Sequence, residues 1–450
     1  MAAKHVLSKS TFMAGCQCPK RLYLHKKHPE LSNPEDEDLQ AIFSRGTTVG
    51  LLARELFKGG IDVAPPDPFS YHISVAKTQE LIAANHSVIY EAAFMYDGVL
   101  CAIDLLVKKR NKWYAYEVKS STKVKDPFVQ DAALQHYVIT RSGLPLADIS
   151  VVHLNNQYKR VGELEVEQLF NAVSVKEPVL SLQDFVEAQI DSFKKVLKSK
   201  NIPNILIGDH CKKPYDCNFT NHCGANMLHQ RAIGNSNLNK SELKQFLKEW
   251  QYPFYFFDFE TIMPAIPEFD HSRPYQQIPF QYSLHTQASP RSALNHTAFL
   301  GDGVSDPRLP LIKQMLKDLG TEGSIVTWNK SFEVTRIKEM AEDFPRYQKQ
   351  LSKLIDRIVD LMVPFQKKWY ELPSFMGSYS LKYVLPVLVP ELSYDSLAIQ
   401  NGGDASSVYA IIKEQPIAVQ MQQRNDLLAY CHLDTLAMVE IYKKLKALVK

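Results

Sequence analysis

Two short stretches of this chain place carboxylates where a carboxylate is costly. Asp104 interrupts the apolar run AIDLLV, and Asp258 and Glu260 interrupt the aromatic run FFDFET. A buried acid without a partner is strongly disfavoured, so each stretch marks a place where negative charge is used. After the first come Glu117 and Lys119 in YEVKSS, and strand alternation puts both on one face. If these strands pair, Asp104 meets them at one end. Two carboxylates beside a lysine suit hydrolysis assisted by a divalent cation. The acids hold Mg2+ or Mn2+, the ion activates water, and the lysine balances charge at a phosphate. Glu91, one strand earlier, is a further candidate ligand, and Asp131 and Gln135 fall one helical turn apart just downstream. An E-x-K triplet alone is more often a surface ion pair; the acid inside an apolar strand lifts this one above that reading.

Around the second stretch, Asp258 and Glu260 alternate onto one face of their strand. Glu333, in TWNKSFEVTRI, follows a later strand, and Asp434 lies in AYCHLDTLAMVEIY on a terminal helix. Tyr430 stands one turn before Asp434 on the same helical face, whereas position 432 points away. Four acids gathered this way would suit in-line phosphodiester hydrolysis at two metal ions. Asp360, in RIVDLMVPF, reads as a structural acid at a strand end.

A third group is sulfur. Cys211, Cys217 and Cys223 have five residues between neighbours, and Cys18 precedes a proline far upstream. Thiolates so spaced bind zinc or an iron–sulfur cluster. A zinc site would use the three with His210 or His222; a cubane cluster would take Cys18 or Cys16 as its fourth ligand. Cys101 and Cys431 read as core residues.

The elements that must position these groups form two mixed α/β blocks. In the first, helical patterns cover Ser10–His25 and Asp38–Phe57. Strands are expected at 87–96, 98–107 and 113–119, with a helix at Phe128–Ser142 and a strand at Ile149–Leu154. Asp97-Gly98 is a hairpin turn signal. In the second, strands are expected at 253–261, 278–286, 297–300 and 324–328. Helices follow at 308–319, 331–343 and 346–356, and a long one at 424–448. The boundary falls between them: residues 1–228, a linker helix at 229–250 capped by Asn239, then 251–450. With 450 residues, two domains each have room for a core.

Composition narrows the setting. Charged residues make up 22% and the net charge is +3, which excludes a strongly basic chain but not a local basic groove. No run of about 18 apolar residues suggests a membrane span. The start lacks the apolar core of a secretory signal, so a cytoplasmic location and no membrane partner are expected. Seven cysteines in a reducing compartment then argue for metal binding or burial over disulfides.

The order GVLCAIDLLV, WYAYEVKSSTKVKD, DAALQHYV resembles the RecB-like nucleases, specifically the CRISPR-associated RecB-like exonucleases. The resemblance implies a PD-(D/E)XK restriction-endonuclease-like domain with Asp104, Glu117 and Lys119 as its catalytic core and Gln135 assisting. It also implies a 4Fe–4S cluster on Cys18, Cys211, Cys217 and Cys223 that staples the two ends of that domain. The chain departs from the pattern in RGTTVGLLAREL, which lacks an early histidine, and in a shorter Gln135-to-Tyr137 spacing. The second block is similar to the DnaQ-like exonucleases of the DEDD class, which have an RNase H-like fold. That similarity assigns Asp258, Glu260, Glu333 and Asp434 to metal and Tyr430 to the tyrosine subtype. Glu333 stands where the class commonly has aspartate. GSYSLKYVLP and Asn401-Gly402-Gly403 resemble an uncharacterised bacterial domain family that often follows RecB-like domains.

Together these readings point to an enzyme, a metal-dependent nuclease (exonuclease) with two centres acting on DNA, on single strands or ends, with RNA a further substrate class. Basic and aromatic residues are interleaved at Lys20, Arg21, Tyr23, His25, Lys26 and Lys27, and again at Lys367, Lys368, Trp369 and Tyr370, with Lys123 and Lys125 after the E-x-K strand. Such mixtures hold single strands by phosphate contact and stacking. The competing reading is an iron–sulfur protein that binds nucleic acid through degenerate centres and serves as a scaffold for a partner.

Overall fold

The computed structural model describes residues 5–34, 46–224 and 236–450. Its contacts divide the chain into two units: Met1–Leu228 with Ala265–Pro274, and His229–Pro264 with Tyr275–Lys450. Both are mixed α/β.

The first unit is built on a seven-stranded sheet. Its strands are β1 (Leu7–Ser8), β2 (Ile61–Asp62), β3 (Val88–Tyr96), β4 (Val99–Lys109), β5 (Lys112–Lys119), β6 (Leu146–Leu154) and β7 (Phe170–Ser174). The order is β2-β3-β4-β5-β6-β7, with β1 pairing parallel to β4. Asp97 and Gly98 both take positive φ, which closes the β3–β4 hairpin with the twist its strands require. Glu91 also has positive φ, and the β3–β4 ladder skips it, passing from Tyr90–Leu105 to Ala92–Ile103. The helix Asp126–Arg141 covers β3, β4 and β6. Its Ala132, Leu134, Val138 and Ile139 enter the core beside Ile89, Ile103 and Val151.

One expected helix is two. Ser10–His25 breaks into Lys9–Gln17 and Pro19–Lys27, with Cys18 extended between them. The cause is Pro19, which has no N–H to continue the first helix and disfavours helical geometry in the residue before it. Of the pattern expected at Asp38–Phe57, residues 38–45 lie outside the described segments; 46–53 are helical and Arg54–Phe57 form a 3-10 turn. The segment 265–274 joins this unit through Arg160, whose guanidinium donates to the carbonyls of Pro267 (3.1 Å) and Glu268 (3.0 Å).

The second unit holds a five-stranded sheet of order β11-β10-β9-β12-β13. Preceding it is β8 (Asn237–Leu238). The sheet comprises β9 (Phe254–Ile262), β10 (Ile278–Gln287), β11 (Leu294–Leu300), β12 (Ser324–Thr327) and β13 (Ile358–Asp360). The first three pair antiparallel; β12 runs parallel to both β9 and β13. Alternation along β9 sorts its aromatic run between two cores. Phe254 and Phe256 pack with Met438, Ile441 and Tyr442 of the terminal helix Ile417–Leu448. Tyr255, Phe257 and Phe259 pack with Leu311, Ile337 and Leu351 of helices on the other face. The even-numbered acids Asp258 and Glu260 therefore share the terminal helix's side. Of the linker helix expected at 229–250, residues 229–235 lie outside the described segments and 237–238 are β8; the helix is Lys240–Lys248, with Glu242 N donating to Asn239 Oδ1 and Leu243 buried in the core of this unit.

Arg308 is held almost out of solvent: 1% exposed, with Asp306 at 2.7 Å and the largely covered carboxylate of Asp343 at 2.8 Å. Arg308→Met should cost about 3–5 kcal/mol, because it removes a buried guanidinium that bridges Asp306 and Asp343. Urea unfolding followed by tryptophan emission checks this, since three of the four tryptophans, Trp250, Trp328 and Trp369, lie in the second unit.

Candidate metal centres

In the first unit the expected residues do converge. Asp104 Oδ2 accepts from the backbone N–H of Val118 at 2.5 Å. Glu117 is 1% exposed and accepts three side-chain donors: Lys119 Nζ at 2.7 Å, Gln135 Nε2 at 2.6 Å and Lys9 Nζ at 2.7 Å. Lys119 reaches on to Asp131 at 2.5 Å. Gln135 Nε2 also donates to the carbonyl of Ala102. Glu91 faces Arg54 at 3.5 Å, and burial pushes its carboxyl up. Burial opposes the charge on Glu117 too, but Lys119 and Lys9 overcome it and hold the group ionised. Asp104 goes the other way, raised by burial and by the charge on Glu117 beside it. Asp131 Oδ1 and Gln135 Oε1 are buried without a hydrogen-bond partner.

Lys9 is the member that sequence reading did not find. It sits at the start of the first helix, 108 positions from Glu117, and no spacing pattern joins them.

The cysteines meet as well. Cys18, Cys211, Cys217 and Cys223 line one cavity, together with Ile205, Ile207 and Phe219. Cys16 instead packs against the core of the sheet. The break at Pro19 leaves Cys18 extended between two helices, on the wall of that cavity. Nearby basic residues are partly committed to internal contacts. Arg21 donates to Asn218, Lys20 to the carbonyl of Ile205, and the buried Tyr23 to the carbonyl of Lys200. Tyr23 is thus no surface for stacking. Lys368 pairs with Glu371 at 3.0 Å, and Lys367 lies over the Trp369 ring.

In the second unit Asp258, Glu260, Tyr430 and Asp434 line a cavity of about 370 Å³, along with Trp328, Lys382 and Tyr394. Asp434 receives a hydrogen bond at 2.5 Å from Tyr394, a residue sequence reading also missed, and the Tyr430 hydroxyl lies close enough to favour its charged form. The only signal for Tyr394 was a tyrosine in an otherwise irregular segment. Glu333 is 2% exposed, and Glu333 Oε2 and Asp434 Oδ2 are buried with no partner. Burial, compounded by mutual repulsion, raises Asp258 and Glu260 well above the carboxylate range. Burial lifts Glu333 to about 8 and Asp434 to about 7, the latter despite the phenols of Tyr394 and Tyr430 beside it. Oxygens left without donors in a crowd of acids fit a missing cation, so the donor set suits Mg2+ or Mn2+. Cys431 is a core residue whose sulfur lies within 4.8 Å of ligand oxygens of Asp258 and Glu260. Asp360 accepts from the N–H groups of Asn329, Lys330 and Met362, the work of a strand-end structural acid.

Residues 255–380 match a family described as Domain of unknown function (DUF2779). That stretch contains Asp258, Glu260 and Glu333 but stops short of Tyr394, Tyr430 and Asp434. The chain is 28% identical over 218 residues to an uncharacterized protein of Ureaplasma parvum, covering 43% of this chain and 31% of that one. It is 30% identical over 210 residues to one of Mycoplasma pneumoniae, covering 41% and 31%. A third, of Mycoplasma genitalium, is 27% identical over 217 residues, covering 43% and 32%. The matched stretch thus spans about a third of each relative's length.

The raised acids make metal-free stability depend on pH in a defined sense. Between the unfolded carboxylate range near 4 and the folded values of about 7 and 8, the folded chain binds more protons, so stability falls as pH rises. In EDTA, the melting temperature of the second unit should drop by more than about 5 °C from pH 5 to pH 8. Mn2+ should flatten that slope, and Asp258→Asn should reduce it. Tryptophan-detected melts over this pH range provide the check.

Proposed function

We propose that this chain is a metal-dependent nuclease that hydrolyses phosphodiester bonds of DNA, single strands or ends, using two separate centres. The observation that carries this reading is the set Asp258, Glu260, Glu333 and Asp434, with two buried oxygens that no protein donor satisfies. Bound Mg2+ or Mn2+ would supply Lewis acidity to the phosphate and its attacking water. The remaining work falls to the chain. Asp258 and Glu260 fix one side from a rigid strand, while Asp434 enters from the helix and is aimed by Tyr394. The Tyr430 hydroxyl orients the attacking water, and Lys382 at the rim offers a positive charge to the strand being cut. The PD-(D/E)XK and RNase H-like folds belong to the same proposal.

In the first centre, Asp104 and Glu117 would hold a cation, Lys119 would balance charge at the phosphate, and Gln135 keeps Glu117 oriented. The four cysteines, converging on one cavity, would hold a 4Fe–4S cluster whose role is structural.

One observation favours the scaffold reading for this unit alone. Glu117 Oε1 already meets two ammonium groups, Lys9 and Lys119, so a cation must compete with an internal one. A Lys9→Met variant distinguishes the two readings: a catalytic centre retains cutting, and a self-neutralised one gains Mn2+ binding without it.

End-labelled single- and double-stranded DNA and RNA, with Mg2+ or Mn2+, test the whole. Asp104→Ala should abolish one set of products and Asp258→Ala the other. Salt-sensitive binding without any metal-dependent cutting would overturn the enzyme. Tyr430→Phe keeps the ring and should slow single-turnover cutting by the second centre about ten- to a hundredfold with binding unchanged. Anaerobically purified protein should be brown and lose its colour on Cys217→Ala but not on Cys16→Ala; stoichiometric zinc in place of iron would refute the cluster.

A further inference from the structure

Histidines gather on the sheet of the second unit at a point the carboxylates do not use. His285 of β10 and His296 of β11 are direct cross-strand partners, so they stand side by side on one face. Along β10, Tyr282 and Leu284 enter the opposite core, which puts Ser283 and His285 on the side the terminal helix covers. That helix supplies His432. The three ring centroids lie 4.4 to 4.7 Å apart, and one ligand nitrogen from each ring falls within 4.8 Å of the other two.

Two hydroxyls hold the rings in place. Thr435 Oγ1 lies 2.8 Å from His285 Nδ1, Ser283 Oγ lies 2.9 Å from His296 Nε2, and the two hydroxyls are 2.7 Å apart. Each of these two imidazoles thus has one nitrogen tied to the Ser283–Thr435 bridge, which leaves the opposite nitrogen as a donor. Ligand histidines are characteristically fixed in this way through the nitrogen that does not face the metal.

We infer that His285, His296 and His432 form a binding site for a transition-metal ion, of which Zn2+ is the representative. Three imidazole nitrogens suit zinc, copper or nickel, whereas Mg2+ and Mn2+ prefer oxygen. Tetrahedral Zn2+ with bonds of ~2.0–2.1 Å needs donors about 3.4 Å apart, so the nitrogens close by roughly 1.4 Å at most, within reach of small side-chain rotations. His285 is buried, His432 half-buried and His296 exposed, so the fourth position opens to solvent. The ion joins three elements, β10, β11 and the terminal helix. It pins that helix through His432, two residues from Asp434, and so sets the rotation at which Asp434 meets the sheet. This site is independent of the nuclease reading.

The test uses the full chain, stripped with EDTA, reloaded with Zn2+ and dialysed, with metal counted by elemental analysis. His296→Ala, at an exposed position, should fold by circular dichroism and bind one zinc fewer than the parent. His432→Asn should lose the same equivalent, and both should lose its thermal stabilisation. Asp258→Asn and Cys211→Ser should each keep it. With Co2+ as probe, the parent-minus-His296→Ala difference spectrum should show tetrahedral ligand-field bands free of sulfur charge transfer. Equal zinc content in parent and both histidine variants would overturn the proposal. So would loss of that equivalent on Asp258→Asn or Cys211→Ser with retention in His296→Ala. None of these readouts depends on cutting DNA.

Discussion

Repulsion among acids is the constraint on which the second unit rests. Asp258, Glu260, Glu333 and Asp434 come from one strand and two helices; the last three are buried and Asp258 half-buried, and their charges raise the cost of ionising Asp258 and Glu260. Only a rigid surround can impose this. The β9 aromatics supply it, anchoring the strand on both faces at once, and the terminal helix is clamped by Met438, Ile441 and Tyr442 against one of them. The crowd persists because the hydrophobic contacts on either side outweigh it. Binding sites commonly store such strain, to be released when a ligand of opposite charge arrives.

The first unit solves a similar problem differently. Its acids are matched from within, by Lys9 and Lys119, so that Glu117 keeps its charge while Asp104 is driven toward its neutral form. One unit thus balances its acids with internal ammonium groups and the other leaves its acids without a counter-charge. The contrast is chemical, since in both units the acids rise from strands inside the sheet and are completed by a helix that packs on it.

Much of this is legible in the sequence. Strand alternation placed Glu117 with Lys119 and Asp258 with Glu260, because a period of two leaves a side chain no other face. The single turn between Tyr430 and Asp434 was equally plain. Lys9 and Tyr394 escaped because their roles come from long-range packing and leave no periodic trace. The continuous helix read at Ser10–His25 failed at Cys18, although Pro19 was there to see: helical periodicity on both sides outweighed one residue's backbone restriction. The histidines escaped for a related reason. Two lie on separate strands and the third on a helix, and the helical period says of position 432 only that it faces away from Tyr430.

The terminal helix carries a consequence for how this sequence can change over time. Tyr430, Cys431, His432, Asp434 and Thr435 all meet residues of other elements, and all are fixed in phase by one uninterrupted helix. Deleting a single residue there would turn everything beyond it by about 100°. No loop within the helix could absorb the change. Substitutions can accumulate along its outer face, but insertions and deletions between Leu427 and Met438 cannot, so length in this stretch should drift far more slowly than identity.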